Sequence, residues 1–218
     1  MTENRFMKFR HLALLVAGLV LATACSAQTA DGQWQEGTQY QKVDTPQRAG
    51  KDGKVEVVEV FSYGCPHCGH YEAAAEDLQK QLPPGVVFRL IPAAFNTAWE
   101  PYARAFYAAR ELGVLKTTHA ALFKAKYVDN YPINTMDEIA DFYARNGVDK
   151  AKFLAAANSA QTTRQMQADM KLIQGWGVDA TPTLVVNGKY RSDKVKDYNE
   201  LNAMTLWLAK RELAGSGH

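Results

Sequence analysis

The chain has 218 residues, 47% hydrophobic and 22% charged, with only eight prolines. That is ordinary globular material for one domain with an insertion, or for two small ones, and it excludes disorder as the basis of function. The formal charge is +2, falling to 0 without residues 1–24, and no basic cluster interleaves with aromatics, so a nucleic-acid-binding role has no electrostatic footing.

Arg5, Lys8 and Arg10 precede an uncharged run from Leu12 to Ala24. The run falls short of the roughly 20 apolar residues that a membrane-spanning helix requires. Residues 1–24 read as a secretory signal with Ala22-Thr23-Ala24 as its small-residue end. Cys25 follows, and small residues before Cys and Ser also resemble a lipoprotein signal, in which the cysteine is acylated and anchors the chain. Ala22 stands where that motif prefers a branched aliphatic residue, and cleavage at Ala24 or Ala27 is the alternative. Each reading exports the product to a setting that permits disulfides.

Residues 25–53 are polar and carry Gly32, Gly37, Pro46, Gly50 and Gly53, the pattern of a tether leading into a short strand near Tyr40 to Val43. Val55 to Phe61 is β-branched and mostly apolar, as a buried strand requires. Cys65-Pro66-His67-Cys68 comes next, and Tyr71, Ala75, Leu78 and Leu82 recur at helical spacing until Pro83-Pro84-Gly85. Val86 to Ile91 is a further strand, closed by Pro92. Helical signals then dominate from Thr97 to about Trp176. Gly113 and Gly147 act as terminators, and Thr135 with Glu138 forms a capping box. The aromatics and methionines of this stretch read as core, without a chemical task. Thr183 to Val186 and Lys189 to Arg191 flank Asn187-Gly188, a hairpin signal, and Tyr198, Leu201, Met204 and Leu208 mark a last amphipathic helix. Gly215 to His218 reads as a fraying tail.

The dithiol lies where a strand ends and a helix begins. Unpaired N–H groups and the helix dipole favour a thiolate there, so Cys65 is expected to be acidic. So short a loop gains little from a structural disulfide, and CxxC beside a strand-helix-strand pattern points to redox exchange. Cys65, at the helix edge, is expected to be the exposed sulfur that is attacked. Cys68, one turn inward, is then the resolving thiol. His67 between them adds donors or positive charge near the thiolate. His70 and His119 carry no such pattern and receive no role. A soft-metal module built on Cys65, Cys68 and His67 or His70 is the non-enzyme alternative, although no second CxxC or Met-rich cluster completes it.

Phe61-Ser62-Tyr63 before Cys65-Pro66-His67-Cys68, the helical insertion after the second strand, and Thr181-Pro182 with Val186-Asn187-Gly188-Lys189-Tyr190 together resemble the DsbA-type thiol–disulfide oxidoreductases. The resemblance covers roughly Tyr40 to Leu213. It implies an α/β chain with a thioredoxin fold over 54–95 and 164–218 and an all-helical domain inserted at 96–163. It implies an oxidase of newly exported thiol proteins in a Gram-negative periplasm, soluble or anchored through Cys25, recharged by a membrane quinone-linked DsbB-type partner and needing no cofactor or metal. No dimerisation domain is evident, and a monomer is expected.

By the same resemblance Pro66 belongs to the redox motif and Cys65 pairs with Cys68. Pro182 is a cis-proline that faces the dithiol and, with Thr181, pairs with an extended substrate segment. DsbA-type enzymes often have an aliphatic residue at the Thr181 position, whereas the isomerase branch often has threonine, so a reductase or isomerase is the neighbouring alternative. Glu59 is either the family's acid beneath the disulfide or a solvent-facing strand residue. The basic partner some relatives carry is missing, since Leu90 occupies its place and Arg89 faces the other side. Glu72, on the helix after Cys68, is a candidate for tuning local charge and is otherwise helix surface.

Overall fold

The structure, a computed structural model, describes residues 33–216. The signal and lipid-anchor readings at residues 1–24 and Cys25 lie outside these residues. The strands are β1 Tyr40–Lys42, β2 Val55–Phe61, β3 Val86–Pro92, β4 Thr183–Val186 and β5 Tyr190–Ser192. Helix α1 is Pro66–Gln81, followed by α2 Glu100–Glu111, α3 Leu115–Tyr127, α4 Met136–Arg145, α5 Lys150–Ala157, α6 Ala160–Gly175 and α7 Tyr198–Gly215.

The strands form one sheet in the order β1-β5-β4-β2-β3, with β2 parallel to β3 and the other neighbours antiparallel. All seven residues of β2 are buried, because helices cover both faces. Val57 packs with Tyr71, Leu78, Leu201 and Leu208 from α1 and α7, whereas Val58 and Val60 pack with Ile173 and Trp176 from α6 and its C-terminal cap. Phe61, at the end of β2, enters a third core made by α2 to α5 with Met166 of α6. The strand end therefore delivers the chain to the junction of sheet and helical insertion.

Strand β3 runs one residue further than its sequence indicates, with Pro92 in register with Phe61. Its position at the sheet edge explains the tolerance, since an edge strand can lack an N–H. Helices α2 to α6 lie between β3 and β4. The expected junction at 163/164 falls inside α6, whose first half buries Thr162 and Met166 and whose last turn buries Ile173. One 16-residue helix thus serves both the helical core and the core under the sheet.

Thr135 and Glu138 close the capping box of α4 in both directions. Asn187 (φ 52) and Gly188 (φ 65) form the left-handed pair of the β4–β5 turn. A Cβ at Gly188 would run into the Gln47 carbonyl oxygen. That contact corrects the reading of residues 44–50, beyond the expected strand, as tether. Val43 N–H donates to the Lys189 carbonyl, Trp176 Nε1–H donates to the Gln47 carbonyl at 2.7 Å, and the amides of Ala49 and Gly50 donate to the fully buried carboxylate of Glu56. Backbone amides and a backbone carbonyl of this stretch make these bonds, independent of its polar side chains.

Candidate functional site

Ser62 and Gly64 shape the loop that delivers Cys65. Gly64 N–H donates to Ser62 Oγ at 3.0 Å, and Cys65 N–H donates to the Ser62 carbonyl at 3.0 Å. Cys65 is the N-cap of α1, in extended conformation, and Pro66 occupies the first turn, where a missing N–H is harmless. Two aromatics from the insertion clamp this loop. A Cβ on Gly64 would meet the Trp99 indole at 2.9 Å, and one on Gly69 would meet Tyr127 at 2.8 Å. Tyr127 OH also donates to the Tyr63 carbonyl at 2.9 Å.

Cys65 and Cys68 are both free thiols, so the structure describes the reduced form. The two sulfurs are strongly differentiated. Cys65 is lowered from an ordinary 9.0 to about 5, first by the hydrogen bond from the Cys68 thiol and then, against the cost of burial, by Thr181 and the N–H groups of Cys68 and His67. Cys68 is pushed far up by burial, by the hydrogen bond it gives to Cys65 and by the charge on Cys65. One sulfur is held as a thiolate and the other keeps its proton. The expected exposure of Cys65 needs correction, because only 5% of the residue is accessible against 0% for Cys68.

Thr181 faces the pair. Its carbonyl accepts from the Cys65 thiol at 3.4 Å, and the Thr181–Pro182 peptide bond is cis. The carbonyl of Thr181 makes the contact with sulfur, and Thr181 Oγ1 is buried without a partner. Beside it opens a cavity of about 450 Å³ lined by His67, Thr181, Pro182, Val195, Tyr198 and Leu201 among others. The His67 side chain is exposed, and its backbone carries the contacts: its N–H favours the Cys65 thiolate and its carbonyl accepts from Tyr198 OH at 3.0 Å.

Glu59 is 2% exposed, so the solvent-facing reading fails. Its face of β2 is roofed by α1, and Leu90 stands beside it in the parallel register. Burial above all, then the charges of Glu72 and Cys65, raise its carboxyl well above the usual range, and Glu59 Oε2 has no hydrogen-bond partner. Arg89 points to the other side and pairs with Glu56 at 3.0 Å and Asp52 at 2.6 Å. Glu72 is half-buried and pairs with His119 Nε2 at 3.2 Å. His119 and Tyr198 were not legible as site residues, because neither has a local motif and each reaches the dithiol only through the fold. Among the described residues, no three His, Cys, Asp or Glu side chains gather as a metal site would.

This arrangement stands beside clear relatives. Residues 43–204 match the Thioredoxin family model. The thiol:disulfide interchange protein DsbA of Pseudomonas aeruginosa is 37% identical over 180 residues, covering 83% of this chain and 85% of that one. The same-named protein of Azotobacter vinelandii is 38% identical over 157 residues, covering 72% and 73%. The crystal structure of Pseudomonas aeruginosa DsbA superposes with a TM-score of 0.79 at 35% identity, covering 86% of this chain and 98% of the other. The oxidoreductase DsbA from Xylella fastidiosa gives 0.79 at 35%, covering 83% and 98%.

Proposed function

Since the chain belongs to the DsbA family of thiol:disulfide oxidoreductases in the thioredoxin superfamily, we propose that it donates a Cys65–Cys68 disulfide to newly exported proteins. The observation that carries this reading is the opposed behaviour of two sulfurs within one helical turn, a stabilised Cys65 thiolate beside a buried Cys68 thiol. A stabilised thiolate favours the reduced form, which makes the disulfide an electron acceptor.

In the forward reaction a substrate thiolate attacks Cys65 Sγ of the disulfide. The new sulfur–sulfur bond forms as the Cys65–Cys68 bond breaks, and the electron pair goes to Cys68, which takes up a proton. Glu59, buried and protonated beneath the pair, is the donor in this reading, and it accepts the proton back when Cys68 reacts in reverse. A second substrate thiol, once deprotonated, attacks the substrate sulfur and expels Cys65 as thiolate. The substrate dithiol is oxidised by two electrons and the enzyme is left as the dithiol. The His67 backbone N–H stabilises the expelled thiolate, Pro66 sets the first turn, and Thr181 and Pro182 hold an extended substrate segment along the cavity beside His67.

The client class is unfolded thiol-containing protein, and the compartment is the periplasm, with the enzyme soluble or anchored through Cys25. A quinone-linked DsbB-type membrane oxidase restores the disulfide, and the enzyme acts as a monomer with residues 54–95 and 164–218 as its redox domain and 96–163 as its helical cover. Equilibration of the mature protein in glutathione buffers tests the direction of electron flow. Reference values run from about −120 mV for a strongly oxidising DsbA to about −270 mV for thioredoxin. A value near the first is expected, and a value near the second would replace the oxidase with a reductase.

A further inference from the structure

Tyr63 before the dithiol motif, Glu72 on α1 and the distant His119 on α3 form a hydrogen-bonded chain. Tyr63 OH lies 2.7 Å from His119 Nδ1, and His119 Nε2 lies 3.2 Å from Glu72 Oε2. A carboxylate only accepts, so Nε2 carries the proton of the second bond. Burial holds the Tyr63 phenol well above its usual range, so Tyr63 keeps its proton. Phe61, Tyr63 and Phe123 enclose the imidazole at centroid distances of 5.1, 5.2 and 5.4 Å.

Glu72 lies between Cys68 and Ala75 on one stripe of α1, the stripe that covers the Val57, Glu59 and Phe61 face of β2. Two carboxyl groups therefore share the space under the dithiol, while Arg89 is spent on the opposite face. Like charges so placed do not readily ionise together. Only Glu72 receives a donor from the imidazole, and Glu59 Oε2 has none.

We propose that His119 is a positioning residue for the exchange reaction: its Nε2–H bond holds Glu72 as the ionised member of the pair and leaves the proton on Glu59, beneath Cys65 and Cys68. The inference rests on the exchange reading above. The other titratable groups facing this space are Tyr63 from the β2–α1 loop, Tyr71 from α1 and Tyr143 from α4, all kept protonated by burial, together with the two cysteines.

Infrared titration of the reduced full-length protein tests it through the C=O stretch of a protonated carboxylic acid, assigned by its loss in Glu59→Gln. Removing the donor in His119→Leu lets Glu72 take a proton, which relieves the repulsion on Glu59. The Glu59 band should then disappear at a pH lower by about one unit or more. His119→Gln, whose amide can donate to Glu72, should restore the wild-type titration. Should His119→Leu fail to fold by circular dichroism, Glu72→Gln must give the same downward shift. A titration unchanged from wild type in His119→Leu, or in Glu72→Gln, overturns the proposal. A disulfide form that cannot oxidise a dithiol peptide removes the exchange reading and this inference with it; oxidation that proceeds while the band ignores His119 removes this inference alone.

Discussion

The Cys65 thiol donates to the Thr181 carbonyl oxygen across 3.4 Å, a contact between residues 116 positions apart. A carbonyl can accept from a thiol but cannot stabilise a thiolate. The Cys65 thiolate is therefore stabilised by other groups, the Cys68 thiol, the Thr181 side chain and the N–H groups of Cys68 and His67.

The ultraviolet absorbance of the thiolate should accordingly report one titration near 5 in the reduced protein. Because Cys65 is depressed relative to its ordinary 9.0, ionised Cys65 contributes stability that is full above pH 9.0 and lost as pH falls through about 5. Cys68 acts in the opposite sense, since its raised value costs stability once the pH exceeds 9.0. Burial and the Glu72 charge raise Glu59 whether or not the cysteines are paired, and the Cys65 charge adds to this only in the reduced form. Chemical unfolding of the two forms should therefore show the reduced one more stable, with the margin shrinking steadily from pH 9.0 toward 5. A margin independent of pH would contradict a stabilised thiolate.

The roles of the two cysteines separate by mutation. Cys65→Ser should abolish oxidation of a dithiol peptide while leaving the fold intact. Cys68→Ser should accumulate substrate as a mixed disulfide on Cys65, visible as a mass adduct that reductant removes. Turnover in Cys65→Ser, or an absence of adducts in Cys68→Ser, would reverse the assignment.

Much of this site could be read from local pattern. The end of β2, the first turn of α1 and the Asn187-Gly188 turn are determined within a few residues of sequence. Glu59 was undecidable, because an acid in an apolar strand is buried or exposed according to what covers that face. Here α1 covers it and Leu90 lies alongside. Tyr63 meets His119 across 56 positions and Tyr198 meets His67 across 131, so no spacing rule could pair them. Gln47 looked like linker because the group it contributes is a backbone carbonyl, which no side-chain pattern reveals.

The insertion is fastened to the redox motif through two glycines, and this sets a stability prediction. Gly64→Ala places a methyl 2.9 Å from the Trp99 indole and 3.0 Å from the Tyr102 ring. Overpacking of this kind costs about 1–3 kcal/mol. Gly69→Ala displaces Tyr127 and weakens its bond to the Tyr63 carbonyl, at a similar cost. Both should lower the denaturant midpoint, whereas Gly175→Ala, with open space around its Cβ, should not. Midpoints unchanged in the first two would mean that the aromatics yield without penalty.

Glu56 and Arg89 make a second test of stability, away from the dithiol. The Glu56 carboxylate is fully buried and accepts from two backbone amides and from Arg89 Nε. Glu56→Ala leaves those part-buried amides without their carboxylate acceptor, a loss of about 1–3 kcal/mol. Since Glu56 faces away from Cys65, the reduction potential should stay constant while the unfolding midpoint falls. A shifted potential would show that this face communicates with the dithiol.

Thr181 decides how far side-chain chemistry tunes the redox pair. Its Oγ1 is buried and unpartnered while Cys65 is a thiol, and it also lowers the Cys65 value when the sulfur is charged. The hydroxyl is thus a donor held in reserve for the thiolate. Thr181→Val keeps the shape and removes the donor, so the Cys65 titration should move upward and the potential should become less oxidising. The oxidised protein, which has no thiolate to satisfy, should gain stability by about 1 kcal/mol, because an unpaired hydroxyl is replaced by a methyl group. These two effects have opposite sign for the two redox forms, and they can be measured on one variant by unfolding each form separately. A Thr181→Val protein with both forms destabilised alike would mean that the hydroxyl serves packing alone, and the tuning would then rest entirely with the backbone of α1.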